Sequence, residues 1–203
     1  MKRIHYVSGL IIACFVGLHL INHAVSITGA ESHIACMNQL QSIYRTTAGE
    51  TILLGAVLLQ VISGIRMFFR QRQSATGFFE KLQLWSGLYL AIFFVIHLGA
   101  VFAGRYILHL DTNFYFGVAG LNTFPHNLFF IPYYALAILS FFGHLAAIHH
   151  KKMKRKVMGL PVDLQSKLVL ATGVVLTLVI FYGLTNGLNG VEIPEEYNLL
   201  IGK

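Results

Sequence analysis

Four stretches of the chain contain no Asp, Glu, Lys or Arg: Ile4–Ala30, Leu82–Gly104, Leu128–His150 and Leu168–Val191. Each exceeds the roughly 20 apolar residues that an α-helix needs to cross a bilayer. A fifth, Thr51–Phe69, is broken only by Arg66, close enough to one end for its guanidinium to reach the headgroups. The pattern predicts an all-α integral membrane protein with five transmembrane helices, at 4–28, 50–70, 82–104, 128–150 and 167–188, in a single domain over 1–203. Histidines 19 and 23 lie inside the first run, and no small-residue cleavage site follows a short apolar core, so a removed signal peptide is not expected. In the first loop Ile34, Met37, Leu40 and Tyr44 recur at near-helical spacing and predict a short interfacial helix. Asp111, Asn113, Gly117, Gly120 and Pro125 punctuate 105–127 and predict an irregular loop, and the acidic tail beyond Gly190 reads as a solvated extension.

Composition agrees with this pattern. Of the 203 residues 56% are hydrophobic and only 11% charged, against about a quarter charged in soluble domains. Five spans leave no room for a soluble catalytic domain. A formal net charge of +7 would suit a nucleic-acid binder, but the position of the charges excludes that reading. Loops on one side hold 12 Lys and Arg and those on the other hold 3. The positive-inside rule then puts the N-terminus, Arg66–Lys81 and Lys151–Lys167 in the cytoplasm and the C-terminus outside, in a multi-pass protein of the cell's inner or plasma membrane. The KKMKRK run at Lys151–Lys156 anchors a helix end among anionic lipids. Cys14 and Cys36 form neither a disulfide framework nor a CxxCH haem-attachment motif.

The ten histidines carry the candidate chemistry, since an imidazole in hydrocarbon is costly unless paired or bound. Sliding the chain by 78 residues lays Ser8–Leu20 on Ser86–Leu98 with seven of thirteen positions identical, His19 on His97 among them. Both histidines stand ten residues beyond a glycine on helices of the same direction. At ~1.5 Å per residue each lies roughly 20–23 Å from the cytoplasmic helix end. Two level imidazoles on facing helices can ligate one iron from opposite sides, with small Ser and Gly making room for a porphyrin, so haem b is the natural cofactor. The competing reading is an ordinary helix-to-helix hydrogen-bonding pair.

RIHYVSG with the later histidine in helix one, GAE at Gly29–Glu31, YR at Tyr44–Arg45 with Glu50, QVISGIR at Gln60–Arg66, LQLWSG at Leu82–Gly87 and LSFFGH at Leu139–His144 together resemble the five-helix cytochrome b membrane anchors of succinate:quinone oxidoreductases and fumarate reductases. The resemblance runs from the N-terminus to the fifth helix. It implies a four-helix haem-binding bundle plus a fifth helix, with a distal haem held by His19 and His97 and a proximal haem held from helices two and four. It also implies electron transfer with quinone or quinol, and flavoprotein and iron–sulfur subunits docked on the cytoplasmic face. His144 matches the proximal ligand of helix four. On helix two, however, Gln60 stands where the family's HxxxG pattern has histidine. One haem, a second haem with altered ligation at His144, and a hydrogen-bonded Gln60–His144 remnant all stay open.

His5 reads as interfacial. His23, one turn beyond His19, meets a haem propionate, a quinone pocket or loop one. His33, His109 and His126 fall outside the spans, where a surface metal site lacks close ligand spacing. His149 and His150 superficially suggest, with His19 and His23, the histidine boxes of di-iron enzymes, but most of the membrane separates the two groups. Glu50 is a candidate proton acceptor from a quinol, or a helix N-terminal residue favoured by the macrodipole. Arg45 and Arg105 flank the outer haem as candidate propionate partners, and Arg66 stands at the other boundary. The expected function is a membrane b-type cytochrome passing electrons between quinone and a partner, either as an anchor subunit or standing alone with an outer-face partner. The chain by itself holds no complete catalytic site. The alternative is a haem-free membrane scaffold or transporter that keeps the helical bundle.

Overall fold

A long uncharged run in lipid can satisfy its backbone only internally, and the α-helical ladder does this within one segment. The computed structural model describes residues 2–203. They form α1 (Lys2–Val25), α2 (Ala30–Tyr44), α3 (Thr47–Gln71), α4 (Phe78–Phe102), α5 (Phe114–Val118), α6 (Asn127–Lys152) and α7 (Val162–Leu184). No strand occurs among the described residues. A 3₁₀ turn at Ser26–Thr28 extends α1, a π turn at Ala103–Ile107 extends α4, and a 3₁₀ stretch covers Glu195–Ile201. All but α2 and α5 are long and apolar enough to cross a membrane, five spans in all.

The predicted spans fall on these helices, and local chemistry explains the ends. Thr46 caps α3, its hydroxyl accepting from Gly49 N–H at 3.1 Å. The Glu80 carboxylate accepts from the N–H groups of Thr76 and Gly77 at 3.0 and 3.3 Å and closes the first turn of α4. The fifth span starts at Val162 rather than 167, directly after Pro161. A charge-free window misses its first turns because Asp163 and Lys167 lie there, 2.7 Å apart as an i,i+4 pair.

Packing partners run α1–α3–α4–α6–α7 and back to α1, a closed ring. Outward faces stay apolar and exposed, with Leu10, Leu58, Val95 and Leu178 each more than half accessible, as lipid contact requires. Inside, Ile12, Ala56 and Val57 form an apolar layer with Val16, Val61, Phe94 and Leu98. A second apolar cluster, including Leu20, Phe114, Val118, Ile138 and Ile180, closes the end of the ring that α2 covers.

Three loop expectations meet the structure here. Loop one carries the expected short helix, present as α2. The loop at 105–127 is irregular except for the end of the π turn at Arg105–Ile107 and the one and a half turns of α5. The tail is not a solvated extension: Tyr197 is fully buried, Ile201 nearly so, and the Tyr197 hydroxyl donates to the Asp111 carbonyl at 3.0 Å. The glutamates at 192, 195 and 196 are solvated, but the apolar residues that follow them turn inward on a 3₁₀ stretch. Burial with the acidic groups of Asp111 and Glu196 nearby raises the Tyr197 phenol to about 12.

Candidate functional site

A cavity of about 260 Å³ occupies the α2 half of the ring. Its wall is mostly Phe, Leu, Val and Ile side chains from α1, α3, α4, α6 and α7, and polar groups gather where α2, the start of α3 and the π turn of α4 meet. His19, His23, His97, Arg45, Glu50 and Arg105 all line it. The structure thus brings together six candidates drawn from four separate segments of the sequence.

His19 and His97 face each other with ring centroids 6.3 Å apart and planes at 62°. Phenylalanines one turn back hold both rings: Phe15 stacks on His19 at 5.7 Å and Phe93 on His97 at 5.0 Å. A metal–imidazole bond of about 2.0–2.1 Å plus roughly 1.1 Å to the ring centre puts trans axial imidazoles about 6 Å apart, centre to centre. The observed spacing fits that requirement. His19 Nε2 also lies 3.1 Å from His23 Nε2.

At the rim, Arg105 Nη1 is 3.7 Å from Glu50 Oε1, and Arg105 Nε donates to Thr112 Oγ1 at 3.0 Å. The pair is a partly screened ion pair in which Arg105 keeps donors free for another carboxylate. Arg45 is exposed and donates to Gln41 Oε1 at 2.6 Å. Beside them, burial raises the Tyr44 phenol, and the guanidinium charges of Arg105 and Arg45 oppose that rise.

Gln60 and His144 are absent from this cavity and do not meet each other. The Gln60 side chain lies against Gly9, accepts from Ser8 Oγ at 2.8 Å and approaches His5 Nε2 at 3.2 Å. His5 Nδ1 in turn is 2.8 Å from Ser63 Oγ. His144 lies against Gly87, with Nδ1 3.0 Å from the Gln83 carbonyl and 3.3 Å from Ser86 Oγ. The internal repeat explains this arrangement. Ser8-Gly9 receives a polar side chain from α3 as Ser86-Gly87 receives one from α6, each on its neighbouring helix. The Gln60–His144 remnant expected as one alternative is therefore replaced by two separate polar pairs, and His5 is a bonded member of one of them.

His33 is the principal miss. It lies outside the five spans, as expected, but it is 2% exposed, sits on α2 among the cavity's lining residues, and places Nε2 3.3 Å from His23 Nδ1 and 3.2 Å from Asn22 Nδ2. Loop one is thus the partner of His23. The lining face of α2 is His33, Met37, Gln41 and Tyr44. That is the same helical period as the apolar stripe predicted from sequence, but displaced to admit two polar residues that a purely apolar search skips. Among the described residues no group of three or more His, Cys, Asp or Glu is placed to hold a metal ion. His149 instead bonds Gln165 Oε1 at 2.9 Å and His150 stacks on Phe79.

Burial, with the nearby His19, lowers His33 to about 4 from its ordinary 6.5. Its ring is surrounded by His23, Asn22 and Phe114, and no carboxylate bonds to it. A folded-state value below the unfolded one means stability is fully present above pH 6.5 and falls as pH drops toward 4, below which no further change comes from this group. Relative to His33→Gln, wild type should therefore lose thermal stability on acidification from pH 7.5 to pH 5; parallel melting curves at the two pH values would refute this.

No protein-family model matches the chain, and neither the curated protein sequences nor the solved structures contain a significant match to it.

Proposed function

We propose that the chain is a membrane b-type cytochrome that binds one haem b between His19 and His97 and exchanges electrons between quinone or quinol and a partner, in the manner of the five-helix anchors it resembles. The observation that carries this reading is the 6.3 Å separation of the two imidazoles inside a largely apolar cavity. Haem b, when bound, supplies a one-electron carrier whose potential the protein tunes through axial ligation and burial. His19 and His97 would hold its iron. His23, 3.1 Å from His19 Nε2 and 3.3 Å from His33 Nε2, would link the iron-holding histidine to α2. Arg105 and Arg45 pair with its carboxylates at the α2 end, and the apolar wall excludes water. Glu50, beside Arg105, accepts a proton from a quinol at the same end.

The counts of basic residues support an N-terminus and basic loops in the cytoplasm, with α2 and the C-terminus outside, in a cell's inner or plasma membrane. A single haem is favoured because Gln60 stands where the family's pattern has the second site's helix-two histidine, and Gln60 and His144 are held in separate polar pairs. Without that intermediate carrier, an outer-face partner suits the protein better than cytoplasmic flavoprotein and iron–sulfur subunits. The haem-free scaffold reading draws on one observation, the His19–His23 contact, which satisfies His19 without iron.

Pyridine-haemochrome quantification per polypeptide on the purified protein tests the proposal. One haem per chain, with sharp reduced-minus-oxidised bands, is expected. Two would reopen the Gln60 side, and none would leave the scaffold.

A further inference from the structure

The turn that joins α6 to α7 holds an apolar tip in a frame of cations. Val157 N–H donates to the Leu160 carbonyl at 3.4 Å and Leu160 N–H to the Val157 carbonyl at 2.9 Å. The two residues between them are both left-handed, Met158 at φ 50° and Gly159 at φ 79°. A two-residue turn of this kind favours Asn or Gly, because the left-handed conformation is costly for other side chains. Met158 nevertheless occupies it and stands 94% exposed, with Val157 exposed beside it. A long apolar side chain held in a disfavoured conformation at the tip of a turn points to a role for that side chain.

The shape of the turn is fixed from inside the bundle. Gln165, buried in the first turn of α7, donates from Nε2 to the carbonyls of Leu160 and Arg155 at 2.8 and 3.2 Å. Its Oε1 accepts from His149 Nε2 at 2.9 Å. Around the tip Lys151, Lys152, Lys154, Arg155 and Lys156 are all exposed, and no Asp or Glu lies between Lys151 and Pro161. None of these cations is in a salt bridge among the described residues, and nearby Asp163 is already paired with Lys167.

Reach decides what covers this tip. Only residues 153–161 separate the spans α6 and α7. At about 3.3–3.6 Å per residue, a loop that leaves and returns over so short a segment rises roughly 15 Å at most. It therefore lies beside the headgroups of the membrane its own helices cross, where lipid phosphates carry the complementary charge and the acyl region begins within about 5–8 Å.

We propose that the α6–α7 turn is a binding site for anionic phospholipid: Lys154, Arg155 and Lys156 hold the phosphates, and Met158 with Val157 enters the acyl region between them. The sequence predicts a purely electrostatic anchor from this basic run. The structure adds an apolar insertion and a fixed frame, which spares the ordering cost that a flexible loop meets on binding. The inference stands apart from the haem and quinone reading.

A polarity-sensitive fluorophore on Met158→Cys, in the full-length chain with Cys14→Ser and Cys36→Ser, tests this in phosphatidylcholine vesicles with and without phosphatidylglycerol. With phosphatidylglycerol the emission should shift to the blue and lose intensity to lipids brominated on the acyl chain. Adding Lys154→Gln, Arg155→Gln and Lys156→Gln together should return the emission to that of water. Water-like, unquenched emission in the anionic vesicles overturns the proposal and leaves the turn open to a soluble protein. Equal quenching without phosphatidylglycerol, or in the charge variant, overturns the phosphate site and leaves only apolar burial. Without a label, phosphatidylglycerol added to the wild type in detergent should raise the melting temperature. Met158→Asn suits the left-handed backbone and should lose part of that rise; an undiminished rise overturns the role of the tip.

Discussion

Truncating either facing imidazole, by His19→Ala or His97→Ala, is expected to reduce haem from one per chain to nearly none. His144→Ala should leave it in place. The two rings meet across the cavity at 6.3 Å, and each is stacked on a phenylalanine of its own helix, so neither can swing over to replace the other. Losing an outer-shell partner of a metal ligand typically costs about 10–100-fold in affinity, and losing the ligand itself should exceed that. His144 lies against Gly87 in a different pair of helices and bonds the Gln83 carbonyl. Its removal should cost about 1–3 kcal/mol through an unmet buried acceptor, without touching haem. Haem per polypeptide and the reduced-minus-oxidised spectrum decide the matter, and full haem in both His19→Ala and His97→Ala would end the bis-histidine assignment.

Gly183→Ala should lower thermal stability by more than any other single-methyl addition to α7. A Cβ there would meet the Ile27 backbone nitrogen at 2.6 Å, the Ser26 carbonyl carbon at 2.8 Å and, closest of all, the Ser26 hydroxyl. Backbone in the turn that extends α1 cannot yield cheaply, since Ser26 is buried and its hydroxyl is bonded to the His23 carbonyl at 2.5 Å. Overpacking of this kind costs about 1–3 kcal/mol, more than the gain in helix propensity returns. Gly17→Ala is the control: nothing lies within 4 Å of its added methyl, so it should be neutral or slightly stabilising. Equal melting temperatures for the two variants would show that the α1–α7 approach is looser than described.

Much of this molecule is legible along the chain, because lipid imposes a one-dimensional rule. A segment that must bury its backbone without water becomes a helix of known length, and the charge-free runs therefore locate all five spans to within a few residues. The repeat of Ser8–Leu20 at Ser86–Leu98 likewise foretold that His19 and His97 share one level, and both line one cavity. Arg45, Glu50 and Arg105 were placed near the same end by topology alone, and they share its rim.

What periodicity could not supply is the direction of a side chain about its helix and the partner it meets there. Whether Gln60 bonds His144 depends on which neighbour α3 packs against. The ring order puts Gln60 on α1 and His144 on α4. His33 precedes the apolar stripe of loop one and lies outside the spans; only the docking of α2 over the cavity turns it inward, where Asn22 and His23 meet it. Tyr197, directly after two glutamates, is likewise buried only by the way the tail folds back. The hydrophobic cost of a long segment is a property of the segment itself, so sequence determines the spans. A hydrogen bond between residues ten or eighty positions apart is a property of how the segments assemble, so only the tertiary structure decides the site.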